Sequence, residues 1–297
     1  MRRLPLLVLI GALLLPLVPH PAKTGQTSPA RAVRAVRKVR AAAAVSAPQA
    51  PRQNGCGPHP AGDPGAPWML IGHFSTYYPG SSDDRNFNLA LAARKLCGTV
   101  VPAGGVFSFN AALGQASREN GFHQGHVFIG DRIVPGYGGG VCQVASTVYN
   151  AARRAGLPIV ERHQHGLTVP YLQPGEDATI AYGYLDLRIR NDTGEPLRLI
   201  MSAEGPRVTA EFFGSRQPPD VSYRHATLGK TAFQTIRRPD QALAAGQEEV
   251  DLPGQGGVTV HTWLDRRWPD GRRETLDLGV DAYRPSPRLV RYGPAAS

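Results

Sequence analysis

The sequence predicts an α+β fold, in which a mixed domain is followed by a small β-rich C-terminal module. Residues 86–96 and 141–155 place apolar side chains at helical spacing. Beyond residue 158, short β-prone segments alternate with turn signals such as NDTG at 191–194. With 41% hydrophobic and 19% charged residues, the 297-residue chain has enough apolar surface for one good-sized core.

The basic residues are concentrated at the N-terminus, which argues against a nucleic-acid-binding surface. Residues 1–55 hold nine Lys or Arg and no Asp or Glu. The rest of the chain therefore contains 24 of the 33 basic residues and all 23 acidic residues. That remainder is close to neutral and offers no basic face for phosphates. No nucleic acid is therefore expected as a partner.

The N-terminal segments resemble export and linker sequences. Two arginines precede an uncharged apolar run over residues 4–18, which is short for a bilayer span of about 20 residues. Residues 1–21 are therefore expected to be a signal peptide or an N-terminal anchor, and the protein is expected to be exported. Residues 22–62 form a basic linker rich in Ala, Pro and Arg, which would suit contact with a membrane or an anionic wall polymer.

Residues 63–214 are expected to form the mixed domain. Its helices are expected at 86–96 and 141–155. Its strands are expected at 99–101, 106–109, 126–134, 158–163, 178–183, 185–190, 196–202 and 207–213. A run of glycines leads directly into the second helix.

Residues 215–297 are expected to form the small β-rich module. Residues 215–245 show little regularity, whereas 248–293 are strand-like and alternate clearly at 258–263. The Asp270-Gly271 pair predicts a hairpin turn.

Cys142 is the candidate nucleophile. It follows three glycines, of which Gly140 is the last, and it falls in the first turn of the second predicted helix. The helix dipole and unpaired N–H groups there favour a thiolate. The N–H groups of Cys142 and Gln143 would suit a developing oxyanion. On these residues alone, a small buried cysteine and a thiolate that attacks an acyl carbon are evenly balanced.

His163 and His165 are the candidate bases for such a thiolate. At strand spacing they point the same way, so one would reach Cys142 while the other lines the pocket. Asp177, Asp186 and Glu161 are available to orient a histidine, and the sequence does not choose among them.

The sequence gives less support for a zinc site or a phosphate-binding loop at these residues. Histidines at 123, 126, 163 and 165 with Cys142 would supply zinc ligands, but their spacings match no compact zinc signature. The glycine run lacks the Lys-Ser/Thr of a phosphate loop. No metal and no cofactor are expected. A disulfide between Cys56 and Cys97, which would leave Cys142 free, is one of three possible pairings.

Nine segments occur in order over about half the chain and carry a family resemblance. They lie at 74–76, 98–101, 106–110, 134–144, 146–151, 159–165, 177–179, 182–186 and 190–191. On these segments residues 72–214 resemble the VanW family, named after an accessory protein of glycopeptide-resistance clusters. The tail from 250 to 293 is similar to the G-five-type β module that commonly follows this domain.

The resemblance implies an envelope protein and a cysteine L,D-transpeptidase that builds 3–3 cross-links between peptidoglycan stem peptides. The nucleophile would be Cys142 of the GGGxCQ motif, and the base would be His165, which matches the more constant family histidine. Asn110 and Tyr137 would line the pocket. Gly166 stands where the family usually has Ser, which leaves no hydroxyl next to His165.

Three alternatives stay open at this point. The first is a non-catalytic protein that binds peptidoglycan or glycopeptide. The second is a thiol peptidase of stem peptides, in which water rather than an amine resolves the acyl-enzyme. The third is a zinc-dependent hydrolase.

Overall fold

The computed structural model describes Cys56, residues 68–129 and residues 132–294. Strands predominate within these ranges and helices are few, so the α+β prediction is confirmed only as a mostly β fold with three described helices. The predicted signal or anchor at 1–21 and the predicted linker at 22–62, except Cys56, lie outside the described residues. None of the described helices is long and apolar enough to cross a bilayer.

The first part of the chain contains the three helices and nine strands. The helices are α1 (Asp83–Leu96), α2 (Phe109–Leu113) and α3 (Val141–Arg154). The strands are β1 (Met69–Tyr77), β2 (Thr99–Val101), β3 (Val106–Ser108), β4 (Gln124–Ile129), β5 (Arg132–Tyr137), β6 (Ile159–Glu161), β7 (Arg188–Arg190), β8 (Leu197–Glu204) and β9 (Arg207–Gly214). The strand expected at 178–183 does not form. The structure has only isolated bridges there, at His163–Thr179 and Ala181–Leu185.

An antiparallel sheet in the order β1-β9-β8-β2 supports α3. The apolar face of α3 is buried, including Val144, Val148 and Ala151. Gly72 in β1 permits this close packing, because a Cβ there would lie 2.5 Å from the Ala151 carbonyl oxygen. The sheet therefore fixes the helix that begins at the glycine loop.

Helix α1 begins earlier than the sequence indicated. Ser82 caps it, and its hydroxyl accepts a hydrogen bond from the Arg85 N–H at 3.3 Å. Leu89, Ala92 and Leu96 are fully buried in the core that α1 shares with α3 and the sheet. The cap adds almost one helical turn and places Arg85 beside the glycine loop.

The C-terminal part is more regular than expected. Its strands are β10 (Asp220–Thr231), β11 (Thr235–Pro239), β12 (Glu248–Gln255), β13 (Gly257–Arg267), β14 (Arg273–Tyr283) and β15 (Ser286–Tyr292). They form two three-stranded sheets in the orders β10-β13-β14 and β11-β15-β12. The prediction that 215–245 is irregular was wrong, because β10 and β11 are largely exposed polar strands without an apolar alternation. The predicted turn at Asp270-Gly271 joins β13 and β14.

All residues that the structure describes belong to one compact unit. Cys56 and Cys97 form a disulfide that closes a loop of 41 residues, and Cys142 is free. The domain boundary at 214/215 stays a prediction.

Candidate functional site

The glycine loop holds Cys142 at the N-terminus of α3. Gly140 caps this helix with φ of 106°, a left-handed conformation that glycine adopts without strain. A Cβ at Gly140 would lie 3.0 Å from Leu89 Cδ2 and 3.2 Å from Arg85 Cγ. The Asn88 amide donates to the carbonyl of the preceding glycine at 3.3 Å. The loop is therefore packed against α1, and the position of Cys142 follows from it.

The first turn of α3 corrects the predicted pair of oxyanion donors. The Gln143 N–H donates to the Gly140 carbonyl at 2.9 Å, and the Val141 N–H donates to the Gly138 carbonyl at 3.0 Å. Gln143 was therefore wrong as a donor, because the tight first turn uses its N–H internally. Among the described residues, no acceptor contacts the Cys142 N–H, which leaves it available to an oxyanion.

A buried histidine and a buried carboxylate adjoin Cys142. The His165 ring lies near enough to the Cys142 thiol for each group to shift the pKa of the other. The ring nitrogen Nδ1 of His165 lies 2.5 Å from Asp177 Oδ2, which also accepts the backbone N–H of His165 at 2.8 Å. His165 is 2% exposed and Asp177 is 1% exposed. Cys142, His165 and Asp177 thus lie in the order that a nucleophile, a base and an orienting carboxylate would need.

The C-terminal sheets complete the surroundings of Asp177. Its Oδ1 accepts hydrogen bonds from the Tyr283 hydroxyl and from Arg162 at 3.2 Å. Arg162 also binds both oxygens of Asp281, at 2.7 and 2.8 Å. The Tyr283 hydroxyl in turn accepts the Gly175 N–H at 2.8 Å. Two residues of β14, Asp281 and Tyr283, therefore fix the loop that carries the carboxylate.

These contacts favour a thiolate–imidazolium pair. Burial is the largest single influence on the pKa of Cys142 and raises it, but the hydrogen bond and charge of His165 outweigh it, so this pKa lies below its usual value. Burial lowers the pKa of His165, whereas its hydrogen bonds and charge interactions with Asp177 and Cys142 raise it to about 9. Burial also acts to raise the pKa of Asp177, but His165 and Arg162 lower it overall. The carboxylate stays ionised beneath the imidazolium.

The pKa shifts predict an unusually early onset of thiolate reactivity. Because the pKa of Cys142 is lowered, its alkylation by iodoacetamide should begin to rise well below pH of about 8.5, where an ordinary cysteine is half ionised. His165→Gln should move this rise to higher pH. Alkylation rates between pH 5 and 10, followed by intact mass, provide the measurement. An unchanged onset in His165→Gln would contradict the ion pair.

Replacing Tyr283 with Phe tests the support from β14. The change removes a donor from Asp177 and an acceptor from the buried Gly175 N–H. The free energy of unfolding should fall by about 1–3 kcal/mol, and the alkylation onset should move to higher pH. Urea denaturation and alkylation rates measure both effects. Tyr292→Phe, also in the C-terminal part, is the control because no described hydrogen bond joins it to Asp177. If Tyr283→Phe matches this control, the Tyr283 hydroxyl does not support the site.

Cys142 opens onto a cleft of about 310 Å³. Its Sγ lies 3.5 Å from Thr179 Oγ1 and 3.9 Å from the Ile180 carbonyl. The predicted residues Tyr137, Gly140 and Gln143 line the cleft. The lining also includes residues that the sequence analysis did not select for the site: Arg85, Gly114, Gln115, Ala116, His126, Val127, Tyr171, Ile180, Ala181 and Tyr182.

Two of the predicted site residues, Asp186 and Asn110, stabilise the start of α2 and do not line the Cys142 cleft. Asp186 accepts hydrogen bonds from the Ser108 hydroxyl at 2.6 Å and from the Asn110 N–H at 2.9 Å, so it secures the start of α2. The Asn110 side chain donates to the Leu185 carbonyl at 2.9 Å. Asp186 as orienting residue and Asn110 as part of the Cys142 cleft were therefore wrong, because both are used in holding α2.

His163 lies away from the Cys142 cleft, whereas Gln143 is part of the cleft lining. His163 Nε2 lies 3.0 Å from Glu161 Oε1, and its side chain is 39% exposed. The prediction that His163 and His165 point the same way on one strand was wrong, because β6 ends at Glu161. The Gln143 side chain is buried and accepts a hydrogen bond from Arg85 at 2.7 Å.

The histidines of the zinc alternative are dispersed. His123 Nδ1 pairs with Asp84 at 2.7 Å, while His163 pairs with Glu161. In the part of the chain that the structure describes, no group of three or more His, Cys, Asp or Glu side chains could hold a metal ion.

Similar proteins agree with the sequence resemblance. Residues 84–213 match the family model described as "VanW like protein". The chain is 35% identical over 145 residues to "Uncharacterized protein YoaR" of Bacillus subtilis (strain 168), which covers 49% of this chain and 48% of that relative. It is 25% identical over 179 residues to "Vancomycin B-type resistance protein VanW" of Enterococcus faecalis (strain ATCC 700802 / V583), which covers 56% of this chain and 65% of the relative. The chain thus spans less than two thirds of either relative's length.

Two solved structures are similar to about a quarter of the chain. The "IgA1 Protease G5 domain structure" is 29% identical, covers 27% of this chain and 96% of its own, and has a TM-score of 0.17. The "Crystal structure of HP0197-G5" is 20% identical, covers 25% and 97%, and has a TM-score of 0.15. The family model matched by residues 84–213 and the two named relatives support VanW family membership.

Proposed function

We propose that this protein is a cysteine acyltransferase of the bacterial cell envelope that acts on peptidoglycan stem peptides. The observation that carries the proposal is the arrangement of Cys142 at a helix N-terminus, His165 on its thiol and Asp177 on the histidine. This arrangement suits a nucleophile that forms a thioester. The reaction class proposed is L,D-transpeptidation, which forms 3–3 cross-links.

Three considerations support an envelope location. The name of the Enterococcus relative links that relative to vancomycin resistance, and this likeness supports a resistance-related envelope protein here. The apolar run at 4–18 supports export. The basic linker at 22–62 suits contact with a membrane or an anionic wall polymer.

The first half-reaction releases the terminal D-Ala of a donor stem. The Cys142 thiolate attacks the carbonyl carbon of the L-configured centre of the diamino acid, and the Cys142 N–H stabilises the oxyanion. As the tetrahedral intermediate collapses, the carbon–nitrogen bond breaks and the His165 imidazolium gives its proton to the departing amine. A thioester on Cys142 and free D-Ala result.

The second half-reaction transfers the acyl group. The side-chain amine of an acceptor stem attacks the thioester, neutral His165 takes the amine proton, and the Cys142 thiolate leaves. Asp177 holds the imidazole in one orientation during both steps and stabilises its charged form. If water replaces the amine, the same residues act as an L,D-carboxypeptidase.

Product analysis tests the proposal. Disaccharide-tetrapeptide is incubated with the protein and the products are separated and weighed by mass spectrometry. Transpeptidation predicts free D-Ala together with a 3–3-linked dimer, whereas hydrolysis predicts D-Ala and disaccharide-tripeptide only. If the folded protein with reduced Cys142 binds the muropeptide but releases no D-Ala, the protein is a binding protein and the proposal is wrong.

A further inference from the structure

Arg85 brings a positive charge to the Cys142 cleft that no described carboxylate neutralises. Its guanidinium donates hydrogen bonds to Gln143 Oε1 at 2.7 Å and to Ser81 Oγ at 3.3 Å, and it stacks over the Tyr78 ring at 4.3 Å. Both acceptors are uncharged. Within residues 68–129 and 132–294, no salt bridge joins Arg85 to an Asp or Glu.

Packing fixes the Arg85 guanidinium at a position close to Cys142. The aliphatic stem of Arg85 lies against Gly140, where an added Cβ would come within 3.2 Å of its Cγ. Gly140 precedes Cys142 by two residues, and all three residues line the same cleft. The Gln143 amide that accepts from Arg85 is itself held by Thr76 at 3.0 Å. The guanidinium therefore has a defined place in the cleft wall.

The electrostatics of the cleft favour an anionic ligand. None of the other lining residues is Lys, Arg, Asp or Glu. Burial lowers the pKa of Arg85, although the nearby tyrosines and Cys142 partly offset this. Two of its five N–H donors are used in the described hydrogen bonds, so donors remain for a bidentate contact. A partly buried guanidinium that has no carboxylate partner among the described residues is stabilised when a carboxylate binds.

We infer that Arg85 binds the free C-terminal carboxylate of the peptide that acylates Cys142. The inference rests on the proposed function, and it adds the feature by which the donor is selected. The bound carboxylate belongs to the residue that leaves, so a donor has to end shortly after the scissile carbonyl. Arg85 would thereby discriminate tetrapeptide stems with a free end from stems whose end is amidated or extended.

The test separates binding from chemistry by using the full chain with Cys142→Ala. Calorimetry measures binding of the stem tetrapeptide and of its C-terminal amide to this variant. The acid should bind about 10-fold to 100-fold more tightly than the amide, because a charge-assisted hydrogen bond is lost. Adding Arg85→Gln should remove the discrimination, and Arg85→Lys should retain part of it. Arg94→Gln, which removes an exposed charge from the same helix, is the control and should bind as the parent does.

The outcomes distinguish this inference from the proposed function. Equal affinity for acid and amide, discrimination that survives Arg85→Gln in a folded variant, or binding of neither peptide would overturn the role of Arg85. Discrimination that depends on Arg85, together with no D-Ala release by the wild type, would support the carboxylate site and refute the acyl transfer. Thermal unfolding of each variant shows that the fold is retained.

Discussion

Cys142→Ala is expected to lower the rate of D-Ala release by about 10⁴-fold or more, because no other group can form the thioester. The side chain is only half-buried, so the free energy of unfolding should change by no more than about 1 kcal/mol. Release of D-Ala from disaccharide-tetrapeptide and urea denaturation measure the two quantities. Binding of the muropeptide should persist.

The matched control is Cys142→Ser, which keeps a hydroxyl at the same place. Serine is a poorer nucleophile at the pH where the imidazolium persists, so it should be almost as inactive while its fold is unchanged. If either variant released D-Ala at the wild-type rate, Cys142 would not be the nucleophile. A purely binding function predicts that both variants behave like the wild type.

Asp177→Asn is expected to reduce kcat by about 10³-fold to 10⁴-fold, because an amide does not hold the imidazole in the same tautomer or stabilise its positive charge. The change also leaves the buried His165 without a carboxylate and removes one of the two carboxylates that contact Arg162, so the free energy of unfolding should fall by about 3–5 kcal/mol. The alkylation onset of Cys142 should move to higher pH. Steady-state kinetics, denaturation and alkylation rates check the three effects.

Asp186→Asn distinguishes a catalytic effect from loss of stability. Asp186 holds the start of α2 and does not contact His165, so this variant should lose stability while the pH dependence of alkylation stays the same. A similar shift of the alkylation onset in both variants would mean that Asp177 acts only through the stability of the fold.

Local sequence patterns were sufficient for the part of the site that lies on one helix. The glycine run and the apolar stripe of α3 predicted a helix that starts next to Cys142, and the structure places Val144 and Val148 in the core as expected. These signals are local, because helix periodicity and caps depend on residues a few positions apart. The nucleophilic role of Cys142 stays a proposal.

The partners of Cys142 depend on chain topology, which local patterns do not reveal. Asp177 was one of three acidic candidates, and it reaches His165 because a loop without strand structure returns past α3. Tyr283 reaches Asp177 from a strand 106 residues further along the chain. Arg85 was missed because its helix begins before the expected first residue. The lack of a described carboxylate partner for Arg85 and its position in the Cys142 cleft depend on the packing of several elements, so the sequence alone does not reveal them.

Intact-protein mass spectrometry tests whether a stem peptide acylates Cys142. The full chain is incubated with disaccharide-tetrapeptide without an acceptor, quenched in acid and weighed, with Cys142→Ala beside it; a carbapenem serves as a second acylating probe. We expect an adduct of the muropeptide mass less D-Ala, located on Cys142 by peptide mapping and absent from the variant. D-Ala release that is equal in both proteins, or muropeptide binding to a reduced, folded protein without any adduct or turnover, would contradict this expectation.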